Sequence, residues 1–511
     1  MKIKNYLILT VIIAGLCSIV YELLVSATAS YFLGDGVKQF SILIGVYLFS
    51  MGIGAYGSKF FTHNSLKTFI YLEYILGLIG GLSVPVLYFL FVKVAPASFQ
   101  FYSMFIIFLI GLLTGAEVPL LTFAFENTQV KEKLSLILSL DYIGGLLATL
   151  LFPFILLPFV GLFYSSLLFG IINILLGLIV AVFVLKLEKK FVWLGVASCA
   201  VLLVVVLYAG SLLHIWENKI YKHPVSFQKQ TIYQKMVVTK NKYKDVRLYL
   251  NRAIQFSSLD EYRYHELLVH VPMCYHPNIK KVLILGGGEN LASREVLKHT
   301  QVESIDVVDI DPEIFNLAKT NQDIVRINKG AANDKKVHLI ANDAFNYLYQ
   351  TDKKYDLIIA DLPDPANESI ARLYSKEFYL LIKRCLAPNG ITVTQAGEIY
   401  FSNQTFSCIY NTMDAVFEQQ KTYQVYIPSF GNWGFVMASD THFPAINTQQ
   451  LPVDDLKFLD EKELNYALTL PKDIQIQTTK INRLDRPIIL NYFNEDWQRW
   501  KIEFEDSNSA F

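Results

Sequence analysis

Hydrophobic and polar positions divide this chain into two textures. Up to about residue 214 the apolar positions run together instead of alternating, in seven stretches near 6–31, 40–60, 68–92, 99–125, 136–158, 162–185 and 191–214. About 20 apolar residues are needed for a helix to cross the hydrocarbon core of a bilayer. The pattern therefore predicts an α-helical multi-pass membrane domain of about seven helices over 1–215. The first stretch is too long for the apolar core of a signal peptide and no small-residue cleavage site follows it.

From about 216 the periods shorten. "YQKMVVTKNKYKDVRLYLNRAIQFSS" alternates and predicts a small β-strand subdomain over 216–275. Strands and helices then take turns: "KVLILGGG" with "LASREVLKH", "SIDVVDID" with "PEIFNLAK", "KVHLIAND" with "AFNYLYQ", and "YDLIIADL" with "SKEFYLLIKRCL". That alternation predicts an α/β Rossmann-like domain with a mostly parallel sheet over 276–440, ending in a hairpin of "TYQVYIPSF" and "WGFVMAS". The more polar 441–511 is read as a tail that packs on the sheet domain.

Composition adds little to this division. The chain is 53% hydrophobic with zero formal net charge, which gives no support to a nucleic-acid partner. Its five cysteines have neither metal-ligand spacing nor a disulfide framework. Charge matters more inside the apolar half. Glu22 and Glu117 fall deep in their stretches and are candidates either for cation binding or for structural hydrogen bonding, whereas Glu73 and Asp141 are expected at helix ends in the headgroup zone. Nine of the eleven lysines up to Lys190, Lys131 and Lys186 among them, fall at the N-terminus or on alternate loops, and only Lys38 and Lys93 fall on the others. The bias of lysine toward the cytoplasm would place the N-terminus inside and, after seven spans, the C-terminal half outside. A cytoplasmic C-terminal half requires one stretch not to cross. The stretch at 136–158 is the candidate, because Asp141, Gly144 and Gly145 interrupt its entry and Pro153 and Pro158 its exit.

The chemistry gathers at the carboxyl ends of the predicted strands, where ligands of such sheets bind. The first strand delivers Gly286, Gly287, Gly288 and Glu289; the second, Asp309 and Asp311; the third, Asn342 and Asp343; the fourth, Asp361 and Asp364. A crevice lined with acids repels phosphate, and no His/Cys cluster of ligand spacing supplies a metal to bridge it. Asp309 suits ribose hydroxyls and Asp343 can accept from an adenine amino group. Glu289, Asp361 and Asp364 are left for cations. An adenosine that carries positive charge instead of phosphate is a sulfonium nucleoside.

Five ordered motifs over about 221–440 resemble the spermidine synthase family, the polyamine aminopropyltransferases: "YQ" at 233–234, "LYLNRAIQFSSLDEYRYHELLVHVP" at 248–272, "VLILGGGENLASREVLKH" at 282–299, "VVDIDPEI" at 307–314 and "YDLIIADLPDP" at 355–365. The resemblance implies transfer of an aminopropyl group from decarboxylated S-adenosylmethionine, a co-substrate, to putrescine or a related polyamine, with no metal and no permanently bound cofactor. It implies that Gln234 and Asp309 hold the ribose side of the donor and that Asp343 with Ala344 contacts adenine, with Gly286 and Gly288 in the donor loop. Gln255, Tyr264 and His265 would line the amine channel, Glu289 and Asp364 would bind ammonium groups, and Asp361 would accept the proton of the attacking amine. The sequence departs from the family pattern at Glu289-Asn290, where Asp-Gly is usual, at Arg252, where glycine is usual, and at "ANES" (366–369) after Asp364-Pro365. Two other readings stay open at this point: an S-adenosylmethionine-dependent methyltransferase on the same fold, and a catalytically weak polyamine transporter or sensor. The implied partners are a polyamine and a lipid bilayer, with a homo-oligomer open, and the catalytic half is expected at the cell membrane on the cytoplasmic side, against the lysine distribution.

Overall fold

The computed structural model describes residues 2–34, 36–125, 133–185, 189–221, 223–276 and 278–508; Lys131 and Lys186 lie outside them. The chain forms two compact units, residues 1–225 with 230–232 and residues 226–229 with 233–511.

The first unit is helical: α1 (Lys2–Leu33), α2 (Gly36–Gly57), α3 (Ser65–Phe91), α4 (Pro96–Phe125), α5 (Lys133–Leu151), α6 (Leu162–Ile179) and α7 (Lys189–Tyr221). Seven helices among the described residues are long and apolar enough to cross a membrane. Glycines let them approach closely, as small residues do where helices have only lipid-like neighbours. A Cβ at Gly54 of α2 would stand 2.0 Å from the Leu112 carbonyl oxygen of α4, and one at Gly77 of α3 would stand 2.7 Å from the Gly170 carbonyl oxygen of α6.

The stretch expected to break at 136–158 does not break. Helix α5 passes directly into a π-helical segment, Phe152–Val160, that accommodates Pro153 and Pro158. Gly144 is a packing surface and not an interruption: a Cβ there would lie 2.2 Å from the Ile12 carbonyl oxygen of α1. The expectation for Glu73 is also corrected. It is fully buried, and Asn173 Nδ2 donates to it at 2.6 Å. Glu117 is buried as well and accepts from Ser18 Oγ at 3.0 Å. Glu22 is 9% exposed, and Asp141 is half-buried against Gly15.

In the second unit, β1 (Val225–Gln230), β2 (Lys235–Lys240), β3 (Val246–Leu250) and β4 (Ala253–Ser257) form a sheet in that order. After α8 (Glu261–Met273) come β5 (Lys281–Gly286), α9 (Leu291–Val296), β6 (Ser304–Asp309), α10 (Pro312–Thr320), α11 (Gln322–Ile327), β7 (Val337–Ala341), α12 (Ala344–Gln350) and β8 (Tyr355–Asp361). The rest is α13 (Glu368–Ala371), α14 (Lys376–Cys385), β9 (Leu386–Glu398), α15 (Asn403–Asp414), β10 (Gln419–Ile427), β11 (Gly431–Ser439), α16 (Glu461–Ala467) and α17 (Ile488–Asn508). The seven-stranded sheet runs β10-β11-β9-β8-β5-β6-β7. Its parallel strands are continuous apolar runs, such as Val282–Leu285 and Leu357–Ala360, each residue at 0% exposure, because helices cover both faces.

The parallel register sets the site. β5 and β8 pair Gly286 with Asp361, and β5 and β6 pair Leu285 with Val308, one residue before Asp309. The glycine loop and two acids thus leave the sheet along one edge.

Candidate active site

Three glycines follow β5 because nothing larger fits. Gly286 and Gly287 have φ of 83° and 60°, left-handed values that side chains disfavour. A Cβ on Gly286 would meet the Asp361 carbonyl oxygen at 2.1 Å, and one on Gly288 would meet Ile314 at 2.3 Å and Asp309 Oδ2 at 2.8 Å. Asn290 takes φ 65° where the family pattern has glycine, a conformation that Asn tolerates better than most residues. Its side chain holds the turn, donating to the Gly288 carbonyl at 2.7 Å and accepting from Ser293 at 3.0 Å. That departure is therefore conformationally neutral.

Around this loop the acids converge. One ligand atom from each of His265, Glu289 and Asp361 lies within 4.8 Å of the others. Such a trio has the spacing to hold a divalent ion, and its two carboxylates have the spacing to accept from a primary ammonium, which carries three N–H donors. Tyr264 donates to Asp361 Oδ1 at 2.6 Å. His265 Nε2 stands 3.9 Å from Glu289, while its Nδ1 is 2.9 Å from Glu261. Asp364 is 3.4 Å from the Gln395 amide.

These groups are set below the surface, and their protonation follows from that. Burial and then the charge of Asp361 push Glu289 up to about 7, against the pull of His265. Burial raises Asp361, with His265 and Tyr264 pulling it back. Burial takes Asp309 and Asp364 each to about 6. For His265 burial works downward, yet the hydrogen bond and charge of Glu261 outweigh it and hold the imidazole above its usual range. One histidine faces Glu289 and Asp361, with Asp309 close enough to act on Glu289, so the site demands cations.

On the donor side, Asp309 accepts from the Asp311 backbone N–H at 3.0 Å, while Asp311 caps α10 through the Glu313 N–H at 3.1 Å. Gln234 donates to Asp311 at 3.1 Å, so it joins the site beside Asp309 through that neighbour. Asp343 caps α12, which begins with the buried Ala344, by accepting from Asn346 N–H at 3.0 Å. Gln255, on β4, donates to the Ala253 carbonyl at 3.2 Å.

Three elements of the site escaped sequence reading. Arg294 grips Glu261 with two hydrogen bonds of 2.8 Å, and together with His265 it holds Glu261 at about 2 in spite of its burial. Arg372, on the loop after Asp364, pairs with Asp343. Glu398 follows Gln395 and Gly397 at the end of β9, its carboxylate taken by the backbone N–H groups of Phe401 and Asn432. Arg294 had a weak signal, a cation one turn into the helix after the glycine loop; its partner 33 residues earlier had none.

A family model described as the spermine/spermidine synthase domain matches residues 261–450. A protein of Leptospira interrogans named polyamine aminopropyltransferase is 39% identical over 500 residues, covering 97% of this chain and 99% of its own. The chain belongs to the polyamine aminopropyltransferase family. Another relative of that name, from Oceanobacillus iheyensis, is 37% identical over 497 residues and covers 96% of each chain. Both alignments take in the helical unit, so these aminopropyltransferases share it. A crystal structure of spermidine synthase in complex with the transition state analogue AdoDATO is 26% identical, with TM-score 0.46, and covers 48% of this chain and 85% of its own.

Proposed function

We propose that this enzyme transfers the aminopropyl group of decarboxylated S-adenosylmethionine to putrescine or a closely related linear amine, releasing methylthioadenosine. The observation that carries the reading is the cradle of His265, Glu289 and Asp361 beside a loop that only glycines can form. Glu289 holds the donor ammonium, and Gly286 and Gly288 admit the nucleoside. Gln234 and Asp309 take its ribose side, Asp343 and Ala344 its adenine. Asp364 receives an acceptor ammonium, and Gln255, Tyr264 and His265 line the amine channel.

The acceptor amine is an ammonium in water and cannot attack until it loses a proton. Asp361, its proton affinity raised by burial, takes that proton. The nitrogen lone pair then forms a bond to the methylene carbon next to sulfur. The carbon–sulfur bond breaks, and its electron pair neutralises the sulfonium. The leaving group is already activated, so the remaining task is alignment. A methyltransferase would instead have to place its donor's carboxylate against Glu289, an unfavourable pairing.

The purified full chain should release methylthioadenosine when given decarboxylated donor and putrescine. Turnover with S-adenosylmethionine and a methyl acceptor instead would make it a methyltransferase; amine binding without turnover would leave a sensor or transporter.

We further propose that the helical unit lies in the cell membrane and that the catalytic unit faces the cytoplasm, where a charged nucleoside donor of this kind is made. Seven continuous helices then put the N-terminus on the outer face. This runs against the lysines of the alternate loops, but Lys219 and Lys229 follow the last span on the inner side. A single cysteine at Asp454→Cys should resist a membrane-impermeant thiol reagent on intact cells and react after permeabilisation. Labelling of intact cells would place the catalytic unit outside. The copy number of the assembly is a further expectation for light scattering in detergent.

A further inference from the structure

Beside Asp364 lies a small cavity that the tail also lines. Asp364, Gln395, Gly397 and Glu398 line one side, and Phe493 and Trp497 of α17 line the other. The cavity measures ≈ 10 Å³, about the room that one water molecule needs. Gly397 keeps the near wall low: a Cβ there would come within 3.7 Å of Asp364 Oδ1. The Glu398 carboxylate is engaged by backbone N–H groups, which leaves Asp364 as the acid facing the space.

The two aromatic rings are held in place. Asp496, between them in sequence and 4% exposed, accepts from Thr405 N–H at 3.0 Å and from Thr405 Oγ1 at 2.8 Å. It thereby caps the first turn of α15 from a different helix and fixes the register of α17. Positions 493, 496 and 497 share one helical face, so locking Asp496 also locks the rings, which stack edge-on at 6.2 Å.

We propose that Phe493 and Trp497 form the end wall of the acceptor pocket and restrict the acceptor to a short α,ω-diamine. The proposal rests on the reading of Asp364 as the partner of an acceptor ammonium. A diamine ends where its second ammonium meets Asp364, whereas a triamine must push a further aminopropyl arm into the space that Phe493 and Trp497 line.

The test compares a four-carbon diamine with a triamine as acceptors for the full-length enzyme, following methylthioadenosine release. Trp497→Ala should raise kcat/KM for the triamine relative to the diamine by about tenfold or more, the scale on which apolar pockets sort substrates by length. The change should appear mainly as a lower KM for the triamine. Trp497→Phe, which keeps a ring and tests the wall without emptying it, should shift the ratio in the same direction by less. Binding of methylthioadenosine at parental affinity identifies variants whose fold is intact. A ratio within twofold of the parent in both intact variants overturns the proposal. A parent that binds donor but turns over no amine would sink the reading of Asp364 itself, a result distinct from an unchanged ratio.

Discussion

The helical unit and the catalytic unit both keep carboxylates away from water, and they satisfy them differently. In the helical unit two buried acids have neutral partners on other helices, Asn173 for Glu73 and Ser18 for Glu117. In the catalytic unit Glu289 and Asp361 crowd together with one imidazole, His265, and Asp309 acts on Glu289 from close by. The first arrangement is a set of struts: each pair joins two helices through one oxygen of its carboxylate. The second is incomplete by construction, and its deficit is positive charge. A buried acid marks function here where several carboxylates crowd together with too few cations among them.

If that distinction is right, the largest effect belongs to Asp361. Asp361→Asn keeps the shape and can still accept from Tyr264, but it cannot take a proton. Turnover should fall by about 10²–10⁴-fold, the usual contribution of a positioned base, with methylthioadenosine binding within twofold of the parent. Near-parental steady-state rates would remove Asp361 from the base role.

The next effect is electrostatic and depends on pH. Glu289 is held near 7 in the free enzyme, so it is ionised above that pH and largely neutral below it. Decarboxylated donor carries an ammonium and methylthioadenosine does not. The preference for donor over methylthioadenosine should therefore strengthen as pH rises from 6 to 8. Glu289→Gln should lower that preference by about ten- to a hundredfold, from the roughly 1.5–3 kcal/mol of a charged hydrogen bond, and flatten its pH dependence. Calorimetry across that range decides it. Equal losses for the two ligands would mean that Glu289 shapes the loop without touching the amine.

How far the sequence revealed these two regions differs for a physical reason. Periodicity is local, so the seven apolar runs and the strand–helix alternation were readable, as was the delivery of Asp309, Asp343 and Asp361 to strand ends. What pairs across the fold was not. Glu73 looked like a headgroup residue because its position in an apolar run says nothing of Asn173, 100 residues later. Gly144 and Pro153 looked like interruptions because local propensity ignores that a glycine can seat a neighbouring helix and that a π-helical segment can absorb proline. Likewise the wall made by Phe493 and Trp497 depends on Asp496 meeting Thr405, a contact between residues 91 apart.

The helical struts can be broken directly. Asn173→Ala would leave Glu73 buried without its donor. Stability should drop by about 1–3 kcal/mol, the penalty for an unsatisfied buried group, seen as a lower Tm in detergent, while kcat/KM stays within twofold. Lost turnover at an unchanged Tm would show that an acid of the helical unit serves the reaction, and would erase the contrast between the units.

The smallest effect concerns an acid that already has a cation beside it. Asp343, assigned to the adenine, is paired with Arg372, whose side chain is 38% exposed. A donor that uses Asp343 has to displace that guanidinium or share the carboxylate with it. Exposed ion pairs are worth about 0.2–1 kcal/mol, so Arg372→Ala should tighten methylthioadenosine binding by only about one-and-a-half- to fivefold. The gain should shrink at high salt, where the pair in the parent is already screened. Weaker binding in the variant would reverse the assignment: Arg372 would then be a contact for the nucleoside, and Asp343 would be a structural partner of Arg372 and not an acid that waits for a ligand.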